Sequence, residues 1–462
     1  MSSIKLAKTS DVVSTSTNGS IHDYEFGRGG YDVDRTNGAS SWYAYFNIVC
    51  LIAGTGMLGL PLALKKGGWA GLVMLILAWW MSSYTGVIMQ KCMYKGKNRR
   101  LASYKEIATE SFGAIGEIDT YGFNKLYVVL IFSFFLVLKG WVSFFFTTWI
   151  YLGTPVLYLV LAAQNLNQLC AGTAGEIGNL AWTIIWCTVV GIPFLFAKSL
   201  NNVAWTSFTG LFAVMVTILI TIILAGIDAP NHTDSHKDNI IWEGFPVALA
   251  TMSFSFGANV VYPNIEGGMK RPQQWRMVLV SAMCLCAIMY IAISVCGYYI
   301  YGTDVVSPIY NSVPSSPARI VAIVLITINS VVSAPILLIS FALDVEDMLN
   351  ITIERYGSKI KEFLVRAALR SSLIVFVGAI GILIPFFDLL MSLLGAFSNC
   401  AIVFVFPVLF YWRLTGFRNK SFYELGWNFL IILVGLVGLI FGTKTAIEDL
   451  IAAFSDGYDY QI

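Results

Sequence analysis

The stretch Asn47-Ile48-Val49-Cys50-Leu51-Ile52-Ala53-Gly54-Thr55-Gly56-Met57-Leu58-Gly59-Leu60-Pro61 is apolar enough to enter a membrane, yet it carries three glycines and ends on a proline. Glycine permits the torsions of an unwound segment and bares its backbone amides; proline lacks the N–H that an interior helix position needs. A second stretch, Ser253-Phe254-Ser255-Phe256-Gly257-Ala258-Asn259-Val260-Val261-Tyr262-Pro263, follows the same pattern. Working outward, the first lies in an apolar run over 42–64, and Gly54 is its thirteenth residue. The second lies in a run over 243–263, and Gly257 is its fifteenth. Two helices interrupted near mid-bilayer are therefore expected.

The composition agrees. Of 462 residues, 57% are hydrophobic, 14% aromatic and 12% charged, with mean hydropathy +0.72. A soluble domain carries about 25% charged residues, so this chain has half the charge needed to face water. That excludes a soluble enzyme, a nucleic-acid binder, a disordered chain and a coiled coil. A net charge of +2 gives no reason to expect a polyanionic partner. The eight cysteines form no CxxC and read as small buried residues, with no disulfide framework and no metal site. His22, His232 and His236 all lie in polar segments, so an imidazole relay within the membrane is not expected. Neither HExxH, GxSxG nor a nucleotide-binding signature occurs, which argues against an enzyme, ATP drive or a cofactor.

A membrane span needs about 20 mostly apolar residues, and in lipid it must be a helix. Spans are expected near 42–64, 69–93, 143–165, 180–197, 201–226, 243–263, 276–300, 317–343, 368–386, 388–411 and 427–451. The fold class is thus all-α, a polytopic membrane protein with eleven transmembrane helices. Residues 1–41 are polar and read as a disordered cytoplasmic tail. Segment 117–140 does not fit the pattern. Basic residues decide against a twelfth span there: eleven spans place eighteen Lys and Arg on the cytoplasmic side against five outside, and an added span reverses this to nine against fourteen. Asn231-His232-Thr233, a glycosylation sequon, then falls in the outer loop 227–242, and the C-terminus lies outside.

The spans divide into halves, 42–226 and 243–411, with 427–451 as an appendage. Five spans per half force the halves into opposite orientations. That is the inverted-repeat plan of many secondary transporters, whose binding site lies at glycine- or proline-interrupted spans in matching places. A helix restarting after a break points free N–H groups and its positive dipole end at the gap, which suits a carboxylate. The opposing carbonyls suit an ammonium group. Backbone alone can hold a zwitterion in this way. The competing reading of such glycines is close helix packing.

Asn47 to Pro61, continuing to Gly67-Gly68-Trp69, resembles the first-span signature of the amino acid/auxin permease family. Ser103-Tyr104-Lys105-Glu106-Ile107-Ala108 before Phe112-Gly113, Tyr158-Leu159-Val160-Leu161 to Asn165-Leu166, Phe256-Gly257 to Pro263, and Leu394-Gly395-Ala396-Phe397 to Phe406-Pro407 match the same pattern. Within the family the chain is most similar to the fungal vacuolar amino-acid transporters and the vesicular inhibitory amino-acid transporter. The resemblance implies a LeuT-type 5+5 inverted repeat plus one extra C-terminal helix, and proton-coupled movement of amino acids. Carried over by position, Gly54, Thr55 and Gly56 would bind the substrate carboxylate, and Ser255, Gly257 and Asn259 would line the other side. Asn47 and Ser333 stand where sodium-coupled relatives contribute to a cation site; interhelical hydrogen bonding is the alternative for both. The family passes to its third span through a short link, so 117–140 is either a lineage insertion or an unspliced intron.

The few acids near the membrane, Glu243, Glu266, Asp344 and Asp388, sit at span ends and read as interfacial anchors, so none is singled out as proton carrier. Tyr104 to Phe112 reads as a short amphipathic helix. The runs Lys95–Arg100 and 355–370 suit anionic lipid. The expected function is secondary transport of neutral amino acids by alternating access, driven by a proton gradient, in a vacuolar membrane, with the plasma membrane as the alternative. The partners are an amino acid, a proton and the lipid bilayer, with no nucleic acid and no obligate protein partner. An amino-acid-sensing receptor with little transport is the alternative.

Overall fold

The computed structural model describes residues 38–95, 100–113, 141–196, 203–351, 353–417 and 420–455. The expected insertion at 117–140 and most of the tail 1–41 lie outside the described residues. Within them the regular secondary structure is helical, apart from a backbone bridge between Ala39 and Met269. Ten described helical stretches are long and apolar enough to cross a membrane. Where the sequence led us to expect the sixth of eleven spans, two short helices stand instead, Phe245–Ser255 and Tyr262–Gly268.

In chain order the elements are α1 (Ser41–Ile52), a 3₁₀ turn (Thr55–Gly59) leading into α2 (Leu60–Gly67), α3 (Ala70–Met93), α4 (Tyr104–Gly113), α5 (Trp141–Leu169), α6 (Asn179–Phe196) and α7 (Val203–Asp228). Then come α8 (Phe245–Ser255), α9 (Tyr262–Gly268), α10 (Trp275–Tyr301), α11 (Pro317–Met348) and α12 (Lys359–Leu383). The chain ends with α13 (Phe387–Leu394), a π-helical stretch (Gly395–Val405), α14 (Phe406–Thr415), α15 (Phe422–Val437), a second π stretch (Gly438–Gly442) and α16 (Thr443–Ser455).

Prolines place several helix starts. Pro61 and Pro263 sit in the first turns of α2 and α9, where the missing N–H would have no helical partner anyway. The prolines after each glycine break therefore mark where the chain re-enters helix. Pro317 opens α11, and the Ser316 hydroxyl caps it by accepting from the Arg319 N–H at 3.2 Å.

Packing centres on α11, which lies along α5 and α7, and on α8, which lies against the π stretch Gly395–Val405. α1 packs on α10 and α7. The helices at the periphery expose large apolar side chains, among them Trp80, Phe212, Ile223, Val375 and Phe429. Contiguous apolar surface of this kind belongs against lipid.

Two expectations are corrected in detail. The helix expected over 368–386 begins earlier, at Lys359. Its first turns carry Lys359, Lys361, Glu362 and Arg366, which depress local hydropathy without stopping a helix. Glu266 and Arg100 are not surface groups: the Glu266 carboxylate is fully buried and paired with Arg100 at 2.6 Å.

Candidate substrate site at two broken helices

Both interruptions lie where the glycines stand. After α1, the Gly54 N–H turns back to the Ile52 carbonyl at 2.7 Å, and helix resumes at Thr55. The N–H groups of Thr55 and Gly56 open the new helix and have no partner within it. After α8, the Gly257 N–H donates to the Phe254 carbonyl at 3.0 Å, and regular helix resumes at Tyr262.

The two breaks touch. The Ser255 hydroxyl donates to the Gly56 carbonyl at 3.0 Å. A Cβ on Gly56 would lie 2.9 Å from the Ser255 Cα, which backbone atoms do not tolerate. A Cβ on Gly257 would meet the Asn399 amide at 2.5 Å. Glycine at these two positions lets the two breaks meet and the Asn399 side chain pack onto Gly257.

Unwinding frees carbonyls, and neighbouring helices supply their donors. The Tyr290 hydroxyl, fully buried on α10, reaches the carbonyls of both Ile52 and Ser255, the latter at 2.8 Å. One hydroxyl proton is thus shared between the ends of the two broken helices. The Ser82 hydroxyl on α3 donates to the Phe256 carbonyl at 3.2 Å.

A cavity of about 40 Å³ lies between the breaks and α5. One water needs roughly 10–15 Å³ by the same measure, so a few waters or a small polar group would fit. Gly54, Thr55, Gly56 and Gly257 line it together with Tyr151, Thr154, Tyr158 and Leu337. No charged side chain lines it among the described residues. The Thr55 hydroxyl is buried without a hydrogen-bond partner among the described residues, which leaves it ready for a polar ligand. Of the other expected site residues, Ser255 holds the two breaks together, and Asn259 turns away, its amide N–H reaching Thr85 at 3.3 Å. Asn47 and Ser333 are half-buried and not hydrogen-bonded to each other; the Asn47 side-chain oxygen is buried without a described partner.

Helix α5 serves as a ruler through the site. Thr147 and Asn165 are eighteen positions apart on it, about 27 Å at about 1.5 Å per residue. Near one end, Asn165 accepts from Tyr310 at 2.6 Å and donates to Thr327 at 2.8 Å, and all three are buried. Burial pushes the Tyr310 phenol upward, so it stays a neutral donor. Near the other end, the Tyr104 hydroxyl on α4 donates to the Ile402 carbonyl at 2.7 Å, and burial raises its pKa as well. Here Arg100 also holds Glu266 and the Pro263 carbonyl, while Tyr94 donates to Glu266 at 2.6 Å. The cavity lies along α5 between these two ends.

The sequence matches the family model described as "Transmembrane amino acid transporter protein" over residues 37–448. The chain belongs to this family. Among its relatives, the amino acid transporter AVT1I of Arabidopsis thaliana is 27% identical over 431 residues, covering 91% of this chain and 98% of that protein. The vesicular inhibitory amino acid transporter of Rattus norvegicus is 24% identical over 440 residues, covering 92% of this chain and 78% of that one. Among solved structures, MhsT in complex with L-phenylalanine matches with a TM-score of 0.55 at 13% identity, over 88% of this chain and 99% of that one. A sodium-coupled sialic acid symporter matches with a TM-score of 0.51 at 13% identity, over 93% and 94%. These likenesses show the LeuT-type fold. This member of the transmembrane amino acid transporter family is therefore a multi-pass membrane protein and not an enzyme.

Several residues of the transporter's site escape a reading of the sequence alone. Tyr158 and Thr154 line the cavity, Asn399 covers Gly257, and Tyr290 joins the breaks. A lone polar group in an apolar run was the available signal, as for Tyr290 within Ala287-Ile288-Met289-Tyr290-Ile291.

Proposed function

We propose that this chain is a secondary transporter that moves neutral amino acids by alternating access, coupled to protons. The observation that carries the reading is the pair of helix breaks meeting at one cavity lined by Gly54, Thr55, Gly56 and Gly257. In this reading the substrate carboxylate takes the N–H groups of Thr55 and Gly56 at the positive start of the resumed helix. Its ammonium lies toward the carbonyl end of α8, where Phe254 lines the same cavity. Uncharged walls favour a neutral side chain: an ionised one would lose its water with nothing to replace it.

The family supplies the amino-acid substrate class; the proton rests on the resemblance of the motifs. Asn47 and Ser333 are the candidates for a coupling cation in that resemblance. By the distribution of Lys and Arg, the Lys105 end of the site faces the cytoplasm. A vacuolar membrane is favoured, with the N-terminus cytoplasmic and the C-terminus lumenal.

Uptake of labelled neutral amino acids into proteoliposomes, with and without an imposed pH gradient, tests the proposal. Accumulation that follows the gradient is the expected result. Binding without flux at any gradient contradicts it and favours a receptor.

A further inference from the structure

A second, smaller cavity of about 10 Å³, the size of one water, adjoins the first on the Lys105 side. Tyr151 and Val260 line both cavities and so stand between them. The Tyr151 hydroxyl donates to the Val260 carbonyl at 3.5 Å, the long end of the hydrogen-bond range. The smaller cavity is also lined by Lys105, Thr147, Asn264 and Asp344. Asp344 lies inside the last turns of α11, and its carboxylate makes no hydrogen bond or salt bridge among the described residues.

We propose that Asp344 is the group that carries the coupling proton. This deepens the transport reading above and rests on it. A coupled proton needs a site reachable from the substrate cavity in one state and from one face of the membrane in the other. Asp344 meets both requirements: Tyr151 and one water's space stand between it and the substrate cavity, and Ser103, Tyr104 and Lys105 line its cavity toward the Lys105 end. Closing that end strips water from the carboxylate, which disfavours the ionised form. Protonation removes the cost, because the neutral acid needs no counter-charge. With that end closed the proton reaches a carboxylate oxygen from the substrate cavity, and when the end opens it leaves to the water on that side, so one proton crosses and nothing else is consumed.

The surrounding charges are consistent with this. On α4, Lys105 lines the cavity, and its ammonium lies 5.1 Å from the ring centres of both Trp141 and Phe144, so it can balance the ionised carboxylate without being fixed to it. Glu106 accepts from the Ala102 N–H at 2.8 Å, and Tyr104 is engaged with Ile402. On α5 the facing group is Tyr151. On α11 itself Asp347 is exposed, and Glu346 is paired with Arg370 of α12 at 2.7 Å. On α9, Glu266 is paired with Arg100. Asp344 is the carboxylate in this group that lines the cavity without a bonded partner among the described residues.

The test uses the purified full chain in proteoliposomes, with tritiated L-glutamine, L-leucine and L-tyrosine as probes. Asp344→Asn, which mimics the protonated acid, is expected to keep counterflow exchange at equal pH and to lose accumulation driven by a pH gradient. Asp344→Glu is expected to keep gradient-driven accumulation with a displaced pH profile. Gradient-driven accumulation by Asp344→Asn equal to that of the unmodified protein overturns the assignment alone. Loss of counterflow in Asp344→Asn also overturns it, since the carboxylate would then serve transport itself. An unmodified protein that exchanges but ignores the gradient overturns the proton-coupled reading beneath it.

Discussion

At the scale of the residue, the site depends on what glycine leaves out and on what one tyrosine holds. A Cβ at Gly56 would strike the Ser255 backbone, so Gly56→Val is expected to abolish transport while the protein still reaches the membrane. Near-normal uptake by that variant would refute the close approach of the two breaks. Gly54 is roomier: its Cβ would stand 3.3 Å from the Tyr158 hydroxyl, so Gly54→Ala should weaken substrate binding more than it lowers thermal stability. Tyr290→Phe leaves the Ile52 and Ser255 carbonyls buried without their donor, at a cost of about 1–3 kcal/mol. A melting curve of the detergent-solubilised protein checks it. The glycines were legible because no other residue both breaks a helix and bares its backbone. Tyr290 and Asn399 were not, because a single polar group in an apolar run does not say which distant carbonyl or glycine it meets.

At the scale of the element, each broken helix needs its second half held in place. For α9 the holder is Arg100, which bonds both the Glu266 carboxylate and the Pro263 carbonyl. Removing one partner of a buried ion pair costs about 3–5 kcal/mol, chiefly because the other charge stays buried. Arg100→Ala should therefore destabilise the protein strongly, and Arg100→Met combined with Glu266→Leu should recover much of the loss in the same melting assay. Equal damage from the single and double variants would show that the charge itself is needed. The element boundaries show what periodicity and hydropathy can read. The breaks, the prolines that end them and the short helix Tyr104–Gly113 stood in the sequence as local patterns. The start of α12 did not, because hydropathy marks where lipid begins and a helix can extend beyond it. The burial of Glu266 was equally hidden, since its partner lies 166 positions away.

At the scale of the whole molecule, separate hydrogen-bonded sets flank the cavity on its two sides, and the transport proposed above needs each to open in turn. On one side stands the hydrogen-bonded set Asn165, Tyr310 and Thr327. Asn165→Ala removes the centre of that set. It should speed the reaction of a membrane-impermeant thiol reagent with Thr154→Cys, a position on the cavity wall, over the background of the native cysteines. An unchanged rate would mean that this set does not close the cavity. An inverted repeat was readable from span lengths and matched glycines and its LeuT type was implied by the resemblance of the motifs, whereas the flanking hydrogen bonds were not, because they join loops and helices far apart in the chain. The central claim is that main chain at the two breaks grips a small zwitterion. An experimental structure with a bound neutral amino acid tests it most directly. The account predicts the carboxylate on the N–H groups of Thr55 and Gly56 and the ammonium toward Phe254. Helices running unbroken through Gly54 and Gly257, or an amino acid bound away from both, would contradict it.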